Sequence, residues 1–107
     1  MNRNIVIVKA DGDFGSFNAA AEDEHLVSLG ARSEVIAAIE TAFPGIQWSE
    51  SGAASAGAIT FDVGIDDPVE DVVAIVGPDE PIEPLLDFVR ANGWHAVESG
   101  GGDFIDA

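Results

Sequence analysis

The sequence predicts a single α+β domain over residues 1–107, in which two helices cover one face of an antiparallel sheet of about four to five strands. Two observations predict this class. Segments with strand periodicity and segments with helix periodicity follow one another in the order strand, helix, two or three strands, helix, strand. Apolar residues make up 47% of the chain, which is enough for a hydrophobic core in a domain of this length.

The main predicted strands are of two kinds. Residues 4–10 (NIVIVKA) and 71–77 (DVVAIVG) are apolar on both faces, which is typical of buried central strands. Residues 46–50 (IQWSE) and 58–65 (AITFDVGI) alternate apolar and polar residues, as strands with one solvent-facing side do. The sheet is therefore expected to have central strands that are buried on both faces and outer strands that expose one face to solvent.

The remaining β structure is predicted from shorter signals. The small residues Ser51–Gly57 favour a flexible hairpin connection, and Asp66–Pro68 is a turn signal. A short last strand is predicted at Trp94–Val97, with a further pairing at Phe104 and Ile105.

Two helices are predicted from apolar residues at helical spacing. The first ends at Pro44-Gly45, and its apolar stripe consists of Val35, Ile36, Ile39, Ala42 and Phe43. The second has Pro81 and Pro84 near its start and Asn92-Gly93 at its end, and its stripe consists of Ile82, Leu85, Leu86 and Val89. Together with the strands, they give the order of a split βαβ or ferredoxin-like sandwich.

The net charge is the most unusual feature of the composition. Twenty Asp and Glu residues face four basic residues, and the formal net charge is −16. Such a surface repels nucleic acid and anionic lipid, so neither is expected as a partner, whereas a basic protein is compatible with it. Solubility alone and a salt-adapted host are two further explanations of the same charge.

Location and redox context are indicated by what the chain contains. It has no cysteine, which excludes disulfides and thiolate metal sites. The apolar run near the start is too short for a membrane span and lacks the form of a signal peptide. We expect a cytoplasmic protein, present as a monomer or a homodimer.

An acidic loop is predicted at about residues 11–28. Asp11, Asp13 and Glu22 occupy positions one, three and twelve of a calcium-loop pattern. However, Ser16 stands where the sharp turn needs glycine, and Gly15 stands where a side-chain oxygen is needed. A solvated loop is therefore favoured, and these three residues are only weak candidates for a metal site.

A catalytic set is missing from the residue patterns. His25 and His95 lie in separate segments outside any metal-binding pattern, and His95 is expected to face away from Trp94. The sequence has no Cys nucleophile and no G-x-S-x-G motif. The glycine-rich Ser99–Asp103 segment has no basic residue nearby and favours a tight turn over a phosphate site. No catalytic residue and no cofactor are predicted.

Several stretches resemble a set of small uncharacterised bacterial proteins. They are LGARSEVIAAIETAFPGIQWS, DDPVEDVVAIV, ANGW and the closing GGDFID. Shared features are a helix ending in F-P-G, a Trp-bearing strand, a D-P turn and a terminal F-I-D. The resemblance covers roughly residues 29–107 and implies a compact α+β fold, with no known activity and no functional residue to transfer.

Three functions are open at this point. The first is a non-catalytic acidic protein-binding module, such as an immunity-type or inhibitor protein for a basic partner, with partner-binding residues Asp11, Asp13, Glu22, Asp23, Glu24, Trp48 and Trp94. The second is a small ligand-binding or enzymatic ferredoxin-like domain with a cleft lined by Trp48, Trp94, His95 and Asp62. The third is a calcium-responsive protein that uses Asp11, Asp13 and Glu22. For the two tryptophans, a place in the core is favoured over an exposed docking patch.

Overall fold

The computed structural model describes residues 3–10, 26–49, 52–56, 59–65, 67–99 and 104–105. Within these ranges it contains seven strands and two helices. The strands are β1 (Arg3–Ala10), β2 (Leu26–Val27), β3 (Gln47–Trp48), β4 (Ala53–Ala56), β5 (Ile59–Asp62), β6 (Val72–Val76) and β7 (His95–Glu98). The helices are α1 (Arg32–Ala42) and α2 (Glu83–Ala91). The predicted α+β class is confirmed, but the predicted number of strands was too low.

The strands form one antiparallel sheet, in which β1 is an inner strand between β7 and β6. The order is β7-β1-β6-β5-β4-β3, and β2 pairs with the last two residues of β1. Ile5 lies opposite Ala74 of β6 on one side and Glu98 of β7 on the other, which defines the register of β1 with both neighbours. Residues 4–10 and 71–77, apolar on both faces, thus form neighbouring inner strands as their pattern predicts.

The Ser51–Gly57 prediction was wrong in part, because Ala53–Ala56 forms β4 rather than a flexible connection. It pairs with β3 and β5, and Ala54 lies opposite Phe61 with only 6% of its surface exposed. A small side chain is accommodated there because the neighbouring aromatic residue fills the space. On the other face, the hydroxyls of Ser55 and Thr60 are 3.1 Å apart across the strands.

The main core lies between the sheet and the two helices. Buried residues of both helices and the inward residues of the central strands belong to one cluster, so both helices pack on the same face. Its aromatic part has ring centroids between 5.1 and 6.3 Å apart and consists of Phe43, Phe61, Phe88 and Trp94. Edge-to-face and tilted contacts at these distances stabilise the core beyond the area they bury.

The helix ends follow the predicted signals, with one addition. Pro84 lies in the first turn of α2, Asn92 caps its C-terminus and Gly93 follows with φ 72°. At the start of α1, the Oδ1 atom of Asp67 accepts a hydrogen bond of 3.0 Å from the backbone N–H of Arg32. A residue far along the sequence therefore satisfies a free N–H of the first helical turn.

The sheet face away from the helices, which we call the open face, carries a second, smaller apolar cluster. Val8, Val97 and Phe104 are buried there, with Val6 and Leu26 packed against them. Phe104 forms the predicted extra pairing, as a bridge to Val97. The ring of His95 stacks on Phe104 at 4.3 Å, so His95 faces away from the core residue Trp94 as predicted.

Candidate functional site

Two hollows lie side by side at one end of β6. The first, the apolar hollow, has a volume of about 230 Å³ and is lined by Val6, Val8, Leu26, Val27, Ser28, Glu70 and Asp71. The second, the acidic hollow, has a volume of about 250 Å³ and is lined by Asp62, Val63, Gly64, Val69, Glu70, Asp71 and Val73. Glu70 and Asp71 line both hollows and form the wall between them.

The apolar hollow is built by the two-sided pattern of β1. Because successive side chains of a strand point to opposite faces, Ile5 and Ile7 enter the main core while Val6 and Val8 point to the open face. Pairing of Ala10 with Leu26 brings the Leu26 side chain beside Val8. Val6 and Leu26 are only partly buried, so the hollow presents aliphatic surface to solvent.

The carboxylates of the acidic hollow come from two neighbouring strands. Asp62 ends β5 and lies opposite Val73 of β6, while Asp71 immediately precedes β6. One carboxylate oxygen of Asp62, Oδ1, accepts a hydrogen bond of 3.0 Å from the backbone N–H of Gly64. Asp62, Glu70 and Asp71 are all exposed. Three carboxylates thus line this end of the sheet.

The basic residues lie elsewhere. Arg3 forms an ion pair with Glu98. On α2, the Nη1 atom of Arg90 is 3.3 Å from Oδ1 of Asp87 and 3.9 Å from Oε2 of Glu83. The Nε–H group of Arg32, on α1, donates a hydrogen bond of 3.0 Å to the carbonyl oxygen of Gly64. Strand alternation along β1 places Arg3 and Lys9 on the face of Ile5 and Ile7.

The four basic residues of the sequence are therefore all described, and each lies on a helix or on the helix side of the sheet. Among the described residues, no basic side chain lines the apolar or the acidic hollow, whereas Asp62, Glu70 and Asp71 do. Arg32 nevertheless reaches the rim of the acidic hollow, because the Gly64 carbonyl that accepts its hydrogen bond belongs to a lining residue. None of the three lining carboxylates takes part in a described ion pair.

The four residues of the predicted ligand cleft do not come together. Trp94 is 7% exposed in the main core, where its ring meets Phe88 at 5.6 Å, so its side chain is not available to a partner. Trp48 is partly buried on β3, at the opposite edge of the sheet from His95 on β7. Asp62 lies on β5, between them. The favoured core position is thus confirmed for Trp94, and Trp48 packs against the same core.

The predicted acidic-loop residues Asp11, Asp13, Glu22, Asp23 and Glu24 lie outside the described residues, as does His25. Leu26 and Val27, at the end of the predicted loop, form β2 instead. Within the described ranges, no group of three or more His, Asp or Glu side chains is placed to hold a metal ion. The calcium hypothesis stays a prediction about residues 11–22.

The hollows were not predicted as a site, although their signal was present in the sequence. Glu70-Asp71 precedes a doubly apolar strand, which indicates only a strand start. The informative signal is that β1 is apolar on both faces, whereas the two amphipathic helices cover only one face of the sheet. This mismatch predicts apolar surface on the second face, but not which carboxylates lie beside it.

Comparison of the chain with family models, with curated proteins and with solved structures finds no match. In the part of the chain that the structure describes, neither helix has the length and apolar character needed to cross a membrane. The geometry and the charge of the open face are therefore the features that bear on function.

Proposed function

We propose that this protein is a non-catalytic acidic protein-binding module whose partner is a basic protein. The observation that supports this proposal is the group of exposed carboxylates at the two hollows. Asp62, Glu70 and Asp71 line the apolar and acidic hollows, and the described lining of these two hollows includes no basic residue. Such a field attracts a positively charged protein and favours one orientation on contact.

An immunity-type or inhibitor protein is the concrete version of this proposal. Such a protein needs a rigid surface of the opposite charge to its target and no chemistry of its own. The antiparallel sheet, covered by two helices on its other face, supplies a rigid support. The net charge of −16 supplies long-range attraction toward a basic target.

Other classes of partner are disfavoured by the same charge. A nucleic acid would place phosphates against the carboxylates of the open face, which repel them. A second copy of the chain meeting face to face would bring Glu70 and Asp71 toward identical residues, so among the predicted oligomeric states we favour the monomer. A cytoplasmic location suits an internal basic target and remains part of the proposal.

We also infer that the fold is an extended ferredoxin-like sandwich. Four strands have the order β7-β1-β6-β5, with α1 between β1 and β5 in the chain and α2 between β6 and β7. This is the connection pattern of a split βαβ arrangement. The short strands β3 and β4 extend it at one edge.

The proposal is tested by affinity capture from host lysate at low and at moderate salt. We expect a single basic protein to be captured in near-stoichiometric amount. Moderate salt should weaken its binding, because screening reduces the attraction between opposite charges. Purified partner and purified protein should then form a complex by size-exclusion chromatography. Failure to capture any basic protein at either salt concentration would overturn the proposal.

A further inference from the structure

We infer that the two hollows form one docking site, which binds a segment of the basic partner carrying an aliphatic side chain beside a lysine or arginine. This inference rests on the proposed function and specifies its site. The aliphatic side chain enters the apolar hollow against Val6 and Leu26. The cationic group reaches Glu70 and Asp71, which form the wall shared with the acidic hollow.

The apolar and the acidic hollow are each of a size that suits a single protein side chain. Pockets for drug-sized ligands and cofactors have volumes of about 300–1,000 Å³. The apolar hollow, at about 230 Å³, and the acidic hollow, at about 250 Å³, are each smaller than that range. Two adjacent small hollows suit two neighbouring side chains of one segment.

The apolar hollow supplies the short-range part of the interaction. Val8 is 5% exposed and lies at the base of the hollow. The partly buried Val6 and Leu26 still present apolar surface that a partner can cover. Removing this surface from water stabilises a complex in proportion to the apolar area buried.

The wall residues supply selectivity for a basic segment. Glu70 and Asp71 are exposed and are not among the carboxylates that form ion pairs with Arg3 or Arg90. Lys9 on β1 points to the helix side, and the described lining of the two hollows includes no basic residue. A lysine or arginine bound there keeps its charge, and its aliphatic stem packs along the hollow.

The test uses two fluorescein-labelled peptides of equal charge and measures binding by fluorescence anisotropy at low salt. In one peptide lysines alternate with leucines, and in the other they alternate with serines. We expect the leucine peptide to bind about tenfold more tightly, because only its side chains bury apolar surface. Val6→Thr should reduce this preference, whereas Ile65→Ser, at an exposed apolar residue outside both hollows, should leave it unchanged.

The carboxylate wall is tested with two double variants of equal charge change. Glu70→Gln with Asp71→Asn should lower the affinity for the leucine peptide about tenfold, because the lysines of the peptide lose both carboxylate partners. Asp79→Asn with Glu80→Gln changes two exposed carboxylates at the other end of β6 and should have little effect. Thermal melting by circular dichroism verifies that each variant is folded.

Three outcomes would overturn the inference. If both double variants lowered the affinity for the leucine peptide equally, the peptide would be attracted by the net charge alone. The proposed function would then remain intact. Absence of peptide binding, alongside capture of a basic protein from lysate, would place the docking site elsewhere on the molecule. A concentration-dependent dimer strengthened by Glu70→Gln with Asp71→Asn would make a second copy of the chain the occupant of the open face.

Discussion

At the residue scale, Gly52 occupies a position that no other residue fits. Its φ is +85°, and a Cβ atom there would overlap the carbonyl oxygen of Gly64. The two segments are joined by a hydrogen bond of 2.9 Å from the N–H of Val63 to the carbonyl oxygen of Gly52. Gly52 thus permits the approach that brings β4 beside β5.

Gly52→Ala should therefore lower the free energy of unfolding by about 2–4 kcal/mol, the sum of a left-handed backbone cost and a steric clash. Urea denaturation measures this change. The control is Gly45→Ala, where φ is +87° but no atom lies within 4 Å of the added Cβ. It should cost only about 1–2 kcal/mol. Equal losses for both variants would contradict the role given to the close approach.

Some residue positions were predictable and others were not. Strand alternation predicted correctly that His95 and Trp94 lie on opposite faces, because it depends only on neighbouring residues. The shared position of Glu70 and Asp71 between two hollows depends on Leu26 and Asp62, which are distant in sequence. Such a contact is set by the tertiary structure and leaves no local pattern.

At the element scale, α1 illustrates how a helix end is completed from elsewhere in the chain. Its N-cap residue, Ala31, has no side chain able to accept a hydrogen bond from the first turn. Asp67 supplies the missing oxygen, and Arg32 also donates from its side chain to Gly64 nearby. The segment that follows β5 is thereby attached to the start of α1.

Asp67→Ala should destabilise the protein by about 1 kcal/mol, because an N–H group of the first helical turn loses its acceptor. The helix dipole adds to this loss, since a negative charge near a helix N-terminus is favourable. The change is measured as a shift in the denaturation midpoint. Asp79→Ala removes the same charge from an exposed turn and should be nearly neutral. A comparable loss in both variants would contradict the capping role.

The elements themselves were predicted unequally. Both helices and the strands β1, β5, β6 and β7 had clear periodicity, and the structure has them close to the predicted positions. β4 was missed because alanine, which supplies three of its four residues, is depleted in strands, and its pairing with β3 and β5 outweighs that preference. β2 was missed because a strand of two residues is too short to show an alternation of apolar and polar residues.

At the scale of the whole molecule, charge opposes compactness. The formal net charge is −16, and the described ion pairs at Arg3 and Arg90 are exposed, so each contributes little. Folding brings the remaining carboxylates closer together and increases their mutual repulsion. The hydrophobic core between the sheet and the helices must outweigh this repulsion.

Added salt should therefore raise the melting temperature at neutral pH. Raising NaCl from about 0.1 M to about 1 M shortens the Debye length from about 10 Å to about 3 Å, which screens repulsion between exposed carboxylates. The control is the same titration near pH 4.1, the pI calculated from the sequence, where the smaller net charge should reduce the effect. A melting temperature that falls with salt at neutral pH would show that attractive pairs outweigh the repulsion.

The position of β1 in the sheet has a consequence for the order of events during synthesis. Arg3 pairs with Val76, and Val8 pairs with His95, so both main neighbours of β1 are made long after it. A nascent chain that has emerged only as far as β5 carries an apolar strand without the two partners that flank it. Contacts so distant in sequence also slow folding, because a long loop must close before any of them forms. β1 is thus translated before the other described strands of the sheet, and it waits for β6 and β7 to pair on both sides.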